Sequence, residues 1–197
     1  MRVINPNNNT ERENYKILTG SIIPRPIAFV TTQSNEGIVN AAPFSFFSIV
    51  SSEPPMLSIS IGRKNGELKD TARNILAKKE FVIHIVDEMN VQQVNETAAS
   101  LPYNQSEIEL ANLQLIESSI IAVPGVKESK VRFECTLEQH IKLENNDLLI
   151  GKVVCFHIAE EVYEDGKINA KNLGAVSRLA GSNYAKLGES FSLERPK

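Results

Sequence analysis

The chain has 197 residues, 42% of them hydrophobic and 23% charged, with a formal net charge of -3. This is enough for one sizeable core, and the mixed signs contain no basic block that would neutralise a nucleic-acid backbone, so DNA or RNA binding is not expected as its main role. No apolar run approaches the roughly 20 residues needed to span a bilayer, and the first residues lack the apolar core of a signal peptide, so a cytoplasmic location is expected.

Residues 1–14 are polar and Asn-rich and are expected to form an irregular N-terminal arm ahead of one domain over residues 15–197. Residues 27–32 (I-A-F-V-T-T) predict a strand. Pro24 and Pro26 before it cannot donate to a ladder, which sets its start at an edge or bend. The turn S-N-E-G joins it to residues 38–42 as a hairpin. Next comes N-A-A-P-F-S-F-F-S-I-V-S-S-E-P-P, Asn40 to Pro55, in which Phe44, Phe46 and Phe47 alternate with serines and no charge precedes Glu53. Hydroxyls beside aromatic area suit a flat heteroaromatic ligand, which needs apolar faces and hydrogen bonds at its edge; a half-buried strand with a Ser-rich end reads the same way. Alternation puts Ser45 and Phe47 on one face, the ligand side, and Phe44 with Phe46 on the other.

Residues 56–61 place Leu57, Ile59 and Ile61 on one face and Ser58 and Ser60 on the other. A turn at Gly62–Gly66 leads to a helix from about Asp70 to Lys78, with Asp70 as its expected N-cap. Arg63, Lys64, Lys69 and Thr71 gather at that helix start, where free N–H groups and the dipole attract phosphate; Asp70 opposes an anion unless its carboxylate turns away, and basic residues in a turn are commonly just solvated. Residues 80–86 predict a strand apolar on both faces except at His84. Helical patterns at 91–99 and 107–115, broken at Pro102, predict an excursion that covers a barrel face or a site mouth. From Val131 the pattern alternates: Val131, Phe133, Cys135, Leu137, Ile141 and Leu143 on a covered face, and Arg132, Glu134, Thr136, Glu138, His140 and Lys142 on a wet one. Residues 148–159 return as a strand apolar on both sides, which fits a closed or nearly closed antiparallel barrel.

His84, His140 and His157 lack zinc-site spacing and read as structural or surface residues, and Cys135 and Cys155 as small hydrophobes, so no metal is expected. There is no nucleophile elbow, P-loop or dinucleotide-binding glycine pattern.

The ordered set P-R-P-I-A-F-V-T-T, N-A-A-P-F-S-F-F, M-L-S-I-S-I-G-R, K-D-T-A-R-N-I, E-F-V-I-H-I-V, G-K-V-V-C-F-H-I and R-L-A-G-S-N-Y-A resembles the flavin reductase-like family, over roughly residues 20–188. The resemblance implies a mainly β fold with helical excursions (α+β), the antiparallel FMN-binding split barrel. It implies FMN as cofactor, with the ring against Asn40, Ala41, Ala42, Ser45, Phe46 and Phe47. Ser58, Ser60, Thr31 and Thr32 would face the same pocket. The phosphate would lie near Arg63, Lys69, Asp70, Thr71 and Asn74, and Arg178, Gly181 and Tyr184 of the tail would join the site, from this subunit or the partner of a homodimer. NAD(P)H would be the electron donor and free flavin or another acceptor the recipient, which needs no catalytic triad because the cofactor carries the chemistry. A flavoredoxin-like electron-transfer protein and a non-redox ligand-binding barrel are the alternatives.

Overall fold

The computed structural model describes residues 1–196. Its first helix, α1 (Glu11–Ser21), begins inside the segment expected to be irregular. The cause is local: Thr10 and Glu13 form a reciprocal capping box, with Glu13 Oε2 accepting from the Thr10 N–H at 2.8 Å and Thr10 Oγ1 accepting from the Glu13 N–H at 3.3 Å.

β1 (Ala28–Gln33) and β2 (Val39–Phe44) form the expected hairpin, with Thr32 opposite Asn40. The chain passes through Ser45 and Phe46 into β3 (Phe47–Ser52), which pairs with β4 (Pro55–Gly62). α2 (Asp70–Lys78) and β5 (Glu80–Ile85) follow, then α3 (Val91–Glu96), α4 (Glu107–Leu110) and the short pair β6 (Leu115–Ile116) and β7 (Gly125–Val126). The long strands β8 (Val131–Lys142) and β9 (Asn146–Ile158) complete the main sheet. Beyond them lie the small hairpin β10 (Tyr163–Glu164) and β11 (Lys167–Ile168), α5 (Ala170–Leu173), and the tail pair β12 (Val176–Arg178) and β13 (Tyr184–Lys186).

The main sheet has seven strands in the order β2-β1-β5-β8-β9-β4-β3, with all neighbours antiparallel. Its two edges, β2 and β3, are consecutive in the chain, with only Ser45 and Phe46 between them. The sheet therefore curls until one end of each edge meets the other. No ladder joins β2 to β3 among the described residues, so the curl is a split barrel rather than a closed one, mainly β with helical excursions.

Alternation along the strands explains the two larger of three buried clusters. Ala28, Val30, Ile59, Ile61, Ile83 and Leu149 point into the curl, where α2 adds Ala72 and Ile75. Phe29, Ala41 and Val86 point the other way and are covered by Val94, Ile108 and Leu113 of the α3–α4 excursion. Gly151 is required where β9 passes Phe81: a Cβ there would lie 2.3 Å from the Phe81 ring.

Strand β8 departs from simple alternation. Its register with β9 shifts between Leu137 and Gln139, which reverses the faces beyond that point and leaves Ile141 and Leu143 exposed instead of covered. Glu134, expected on the wet face, is fully buried because the loop after β6 folds over it. In α2 the N-cap is Lys69 rather than Asp70, which occupies the first helical turn.

Candidate functional site

A cleft of about 630 Å3 opens between the start of α2, the β2 edge and the segment that follows α3. This is the size of a small-molecule pocket. Asn40, Ala42, Lys69, Asp70 and Thr71 all line it, drawn together from β2 and α2. Pro43, Phe44, Leu68 and Leu101 supply apolar wall, and Lys64, Arg73, Tyr103 and Glu107 line it as well.

The α2 end of the cleft joins a helix start to charges of both signs, Lys64, Lys69 and Arg73 with Glu67 and Asp70. The N-cap Lys69 makes no side-chain capping bond, so the first-turn N–H groups are left to solvent or a ligand. The Asp70 carboxylate turns to Arg73 (Oδ1 to Nη1, 2.5 Å). Arg73 also donates to the Leu68 carbonyl at 3.1 Å and stands 5.0 Å above the Tyr103 ring, so its charge is committed. Lys64 and Lys69 enter no ion pair among the described residues.

Behind this wall runs a buried polar network. Thr71 Oγ1 donates to Asn40 Oδ1 at 2.8 Å, and Asn40 Nδ2 donates to Glu107 Oε2 at 2.9 Å. The same carboxylate oxygen accepts from the Ala41 N–H at 3.0 Å. Asn74 Nδ2 donates to Thr32 Oγ1 at 3.1 Å. Thr32, Ala41 and Asn74 therefore support the wall from inside rather than line the cleft. Burial pushes the Glu107 carboxyl up, a shift that the Ala41 N–H and Asn40 only partly offset.

The other expected residues fall into separate groups. Thr31 is fully buried and donates to the Pro124 carbonyl at 2.7 Å. Ser45 lies at the corner between β2 and β3, 3.4 Å from Arg25 Nε. Arg25 also donates to the carbonyls of Thr19 and Ile22 at 2.7 Å and of Leu179 at 3.0 Å, and its backbone pairs with that of Arg178. It thus ties α1 and the tail to the Ser45 corner within one chain. Phe47 packs on the core while Phe46 is exposed, 6.5 Å from the Tyr15 ring. Ser58 and Ser60 lie on the face of β4 opposite Leu57, Ile59 and Ile61; Ser60 Oγ accepts from Asn146 Nδ2 at 3.1 Å. Arg63 pairs with the buried Asp147 (Nη2 to Oδ1, 2.8 Å) and donates to the Gly66 carbonyl at 3.1 Å, which braces the turn that carries Lys64. Gly181, at φ 61°, makes the β12–β13 turn. Tyr184 lies 4.4 Å beneath the Arg178 guanidinium and donates to Asn95 Oδ1 at 2.8 Å.

Glu107, Tyr103 and Asp147 were not singled out from sequence. Glu107 opens a short helix in an excursion and meets Asn40 across 67 positions; only its place after a Ser N-cap marked it, and that signals a helix start. Glu134, Cys155 and His157 bring potential metal-ligating atoms within 4.8 Å of one another. Glu134 is already saturated, accepting from the N–H groups of Ser119, Ile120 and Ile121 and from His157 Nε2 at 2.5 Å. Arg132 Nη2 lies 3.3 Å from the other His157 nitrogen, where it opposes a cation. The cluster is a latch on the loop between β6 and β7.

A curled, unclosed antiparallel sheet with a cleft between a helix start and an apolar wall is a split barrel with a candidate ligand site. The chain belongs to the flavin reductase like domain family, whose model matches residues 19–173. It is similar to the structure of nitrilotriacetate monooxygenase component B from Bacillus cereus, at 59% identity, with 98% of each chain covered and a TM-score of 0.97. It is also similar to 2-nitrobenzoate 2-nitroreductase NbaA from Pseudomonas fluorescens, at 29% identity and TM-score 0.91, over 99% of this chain and 96% of that one. A protein with a split barrel domain from Shewanella frigidimarina shares the fold at 21% identity and TM-score 0.84, over 96% of both chains. The chain is a flavin-type oxidoreductase by family, and none of its described helices is long and apolar enough to cross a membrane.

Proposed function

We propose that this chain is an FMN-binding flavin reductase of the cytoplasm that acts as a homodimer and takes its electrons from NAD(P)H. The observation that carries the reading is the cleft itself, where an uncapped helix start and two unpaired lysines adjoin the apolar wall of Pro43, Phe44 and Leu101. The donor set fits the cofactor. First-turn N–H groups with Lys64 and Lys69 would hold the phosphate, and the apolar wall would flank the ring. When bound, the flavin supplies a hydride acceptor. The chain's own residues bind and orient it: Arg63 braces the phosphate-side turn, and the segment from Thr97 to Tyr103 excludes water from one side. No acid or base is required of the protein for this step.

A homodimer is supported by exposed apolar side chains in α1 and around the edge strand β3: Tyr15 and Phe46, whose rings lie 6.5 Å apart, with Leu18, Ile49 and Val50. The Bacillus cereus relative, described as one component of a monooxygenase, supports a reading in which reduced flavin is handed to a second protein. The test is anaerobic oxidation of NADH or NADPH by the purified protein with FMN as acceptor. Turnover with either donor is expected. Tight FMN binding without turnover would replace the reductase by an electron carrier that is reduced by a protein.

A further inference from the structure

The donors in the buried network all point one way. The Tyr103 hydroxyl gives its proton to Asn74 Oδ1 (3.4 Å), Asn74 Nδ2 to Thr32 Oγ1 (3.1 Å), Thr32 Oγ1 to Asn40 Oδ1 (3.4 Å) and Asn40 Nδ2 to Glu107 Oε2 (2.9 Å). Thr71 joins from α2, donating to the same Asn40 Oδ1 at 2.8 Å. The direction is set at its end. Glu107 Oε2 accepts from the Ala41 N–H at 3.0 Å, and Asn40 turns its NH2 to that oxygen and its carbonyl oxygen to the two threonines. The hydroxyl protons of Thr32 and Thr71 are then used inside the network. Toward the cleft, the Thr71 hydroxyl and the Glu107 carboxylate can only accept, and Asn40 Nδ2 keeps one further N–H.

That polarity matters for a ligand with two kinds of polar end. A phosphate carries acceptors alone and is repelled by such a wall, whereas a polyhydroxyl chain brings donors that the wall can take. Donors for a phosphate come instead from the α2 N–H groups, Lys64 and Lys69.

We propose, resting on the flavin reading above, that Glu107 is a positioning residue. By orienting Asn40 it leaves the Thr71 hydroxyl oxygen and its own carboxylate as acceptors in this wall, and these select the hydroxylated ribityl chain of the flavin. Thr71 is then a strut in that wall and gives the phosphate no hydroxyl proton.

The test compares the affinities of FMN, riboflavin and lumiflavin, which has the ring but no hydroxylated chain, for the wild-type protein and for Glu107→Gln, Glu107→Leu and Thr71→Val. The wild-type protein is expected to prefer riboflavin to lumiflavin by about tenfold or more, the worth of a hydrogen bond to a charged group. Glu107→Gln keeps an acceptor oxygen for Asn40 and the Ala41 N–H but loses the charge and puts an NH2 donor in place of the second oxygen, so it is expected to keep only part of that preference. Glu107→Leu is expected to bring it toward equality while the FMN-to-riboflavin ratio holds. An unchanged riboflavin preference in Glu107→Leu overturns the proposal, as does a loss in Glu107→Gln equal to that in Glu107→Leu. Joint collapse of both ratios also overturns it, because Glu107 would then only hold the fold. Thr71→Val, which preserves shape, is the arm that survives if Glu107→Leu does not fold: its FMN-to-riboflavin ratio should match wild type, and a selective loss of FMN would overturn the strut assignment. Failure of the wild-type protein to bind FMN at all would instead overturn the flavin reading on which the proposal rests.

Discussion

Replacing Arg63 by alanine removes two hydrogen bonds, from Nη2 to Asp147 Oδ1 at 2.8 Å and from Nη1 to the Gly66 carbonyl at 3.1 Å. Asp147 is only 1% exposed, its Oδ2 already has no partner, and without Arg63 it keeps a single one, His140 Nε2 at 2.8 Å. Burial by itself would raise this carboxyl, but the Arg63 and His140 bonds outweigh it and hold it below the usual carboxylate range. A hydrogen bond to a charged group contributes about 1.5–3 kcal/mol, and stranding a buried charge adds to the loss, so Arg63→Ala is expected to cost about 3 kcal/mol. For a chain of this size that lowers Tm by about 6–12 °C. The pH dependence has a definite sign. A carboxyl whose folded pKa is depressed contributes fully above its unfolded value of about 3.9 and loses that contribution as pH falls through the folded value. Urea unfolding of both proteins should therefore show the full gap near pH 7 and a gap that narrows below about pH 4. If Arg63→Ala unfolds with wild-type stability but selectively loses FMN over riboflavin, Arg63 reads a phosphate and the bracing role is wrong.

Lys69→Ala should leave unfolding unchanged but weaken FMN by about tenfold or more relative to riboflavin, because a charge-assisted bond to the phosphate goes and no internal partner is lost; equal loss of both ligands in a calorimetric titration would count against the phosphate assignment. Gly151→Ala forces a Cβ to within 2.3 Å of the Phe81 ring and should cost about 1–3 kcal/mol or more in denaturant unfolding, whereas wild-type stability would mean that the ring moves freely. His84, neutral between the Phe29 carbonyl (2.9 Å) and the Val126 N–H (2.8 Å), has its pKa pushed down to about 4, first by burial. The unfolded chain takes this proton first, so stability should fall by up to about 3 kcal/mol as pH drops from about 6.5 to 4, and His84→Gln should flatten that part of the profile. A profile of the same slope in the variant would assign the loss to other groups.

Where one residue's neighbours decide its environment, the sequence was readable. The alternation of Leu57, Ile59 and Ile61 with Ser58 and Ser60 holds in β4 because one face packs on the core through its whole length. The hairpin at Ser34 to Gly37 and the helix after Lys69 follow from turn chemistry and an apolar stripe close in sequence. T-E-R-E at Thr10 was also legible as a capping box, but the surrounding asparagines masked it. What could not be read was non-local. Glu134 is buried by a loop whose amides bind it from 13 to 15 positions away, and Arg63 is claimed by Asp147, 84 positions on. The convergence of Asn40, Thr71 and Lys69 on one cleft was implied by the family resemblance. Glu107, which completes the wall behind them, arrives from an excursion whose docking no local pattern encodes.

The most direct measurement is titration of FMN into the purified protein, with riboflavin in parallel, followed through the visible flavin bands. Saturable uptake of one FMN per chain with perturbed bands, and a clear preference for FMN over riboflavin, is the expected result. A protein that leaves the flavin spectrum unchanged at all concentrations, or binds FMN and riboflavin alike, would contradict the assignment of the α2 cleft as a phosphate-reading flavin site.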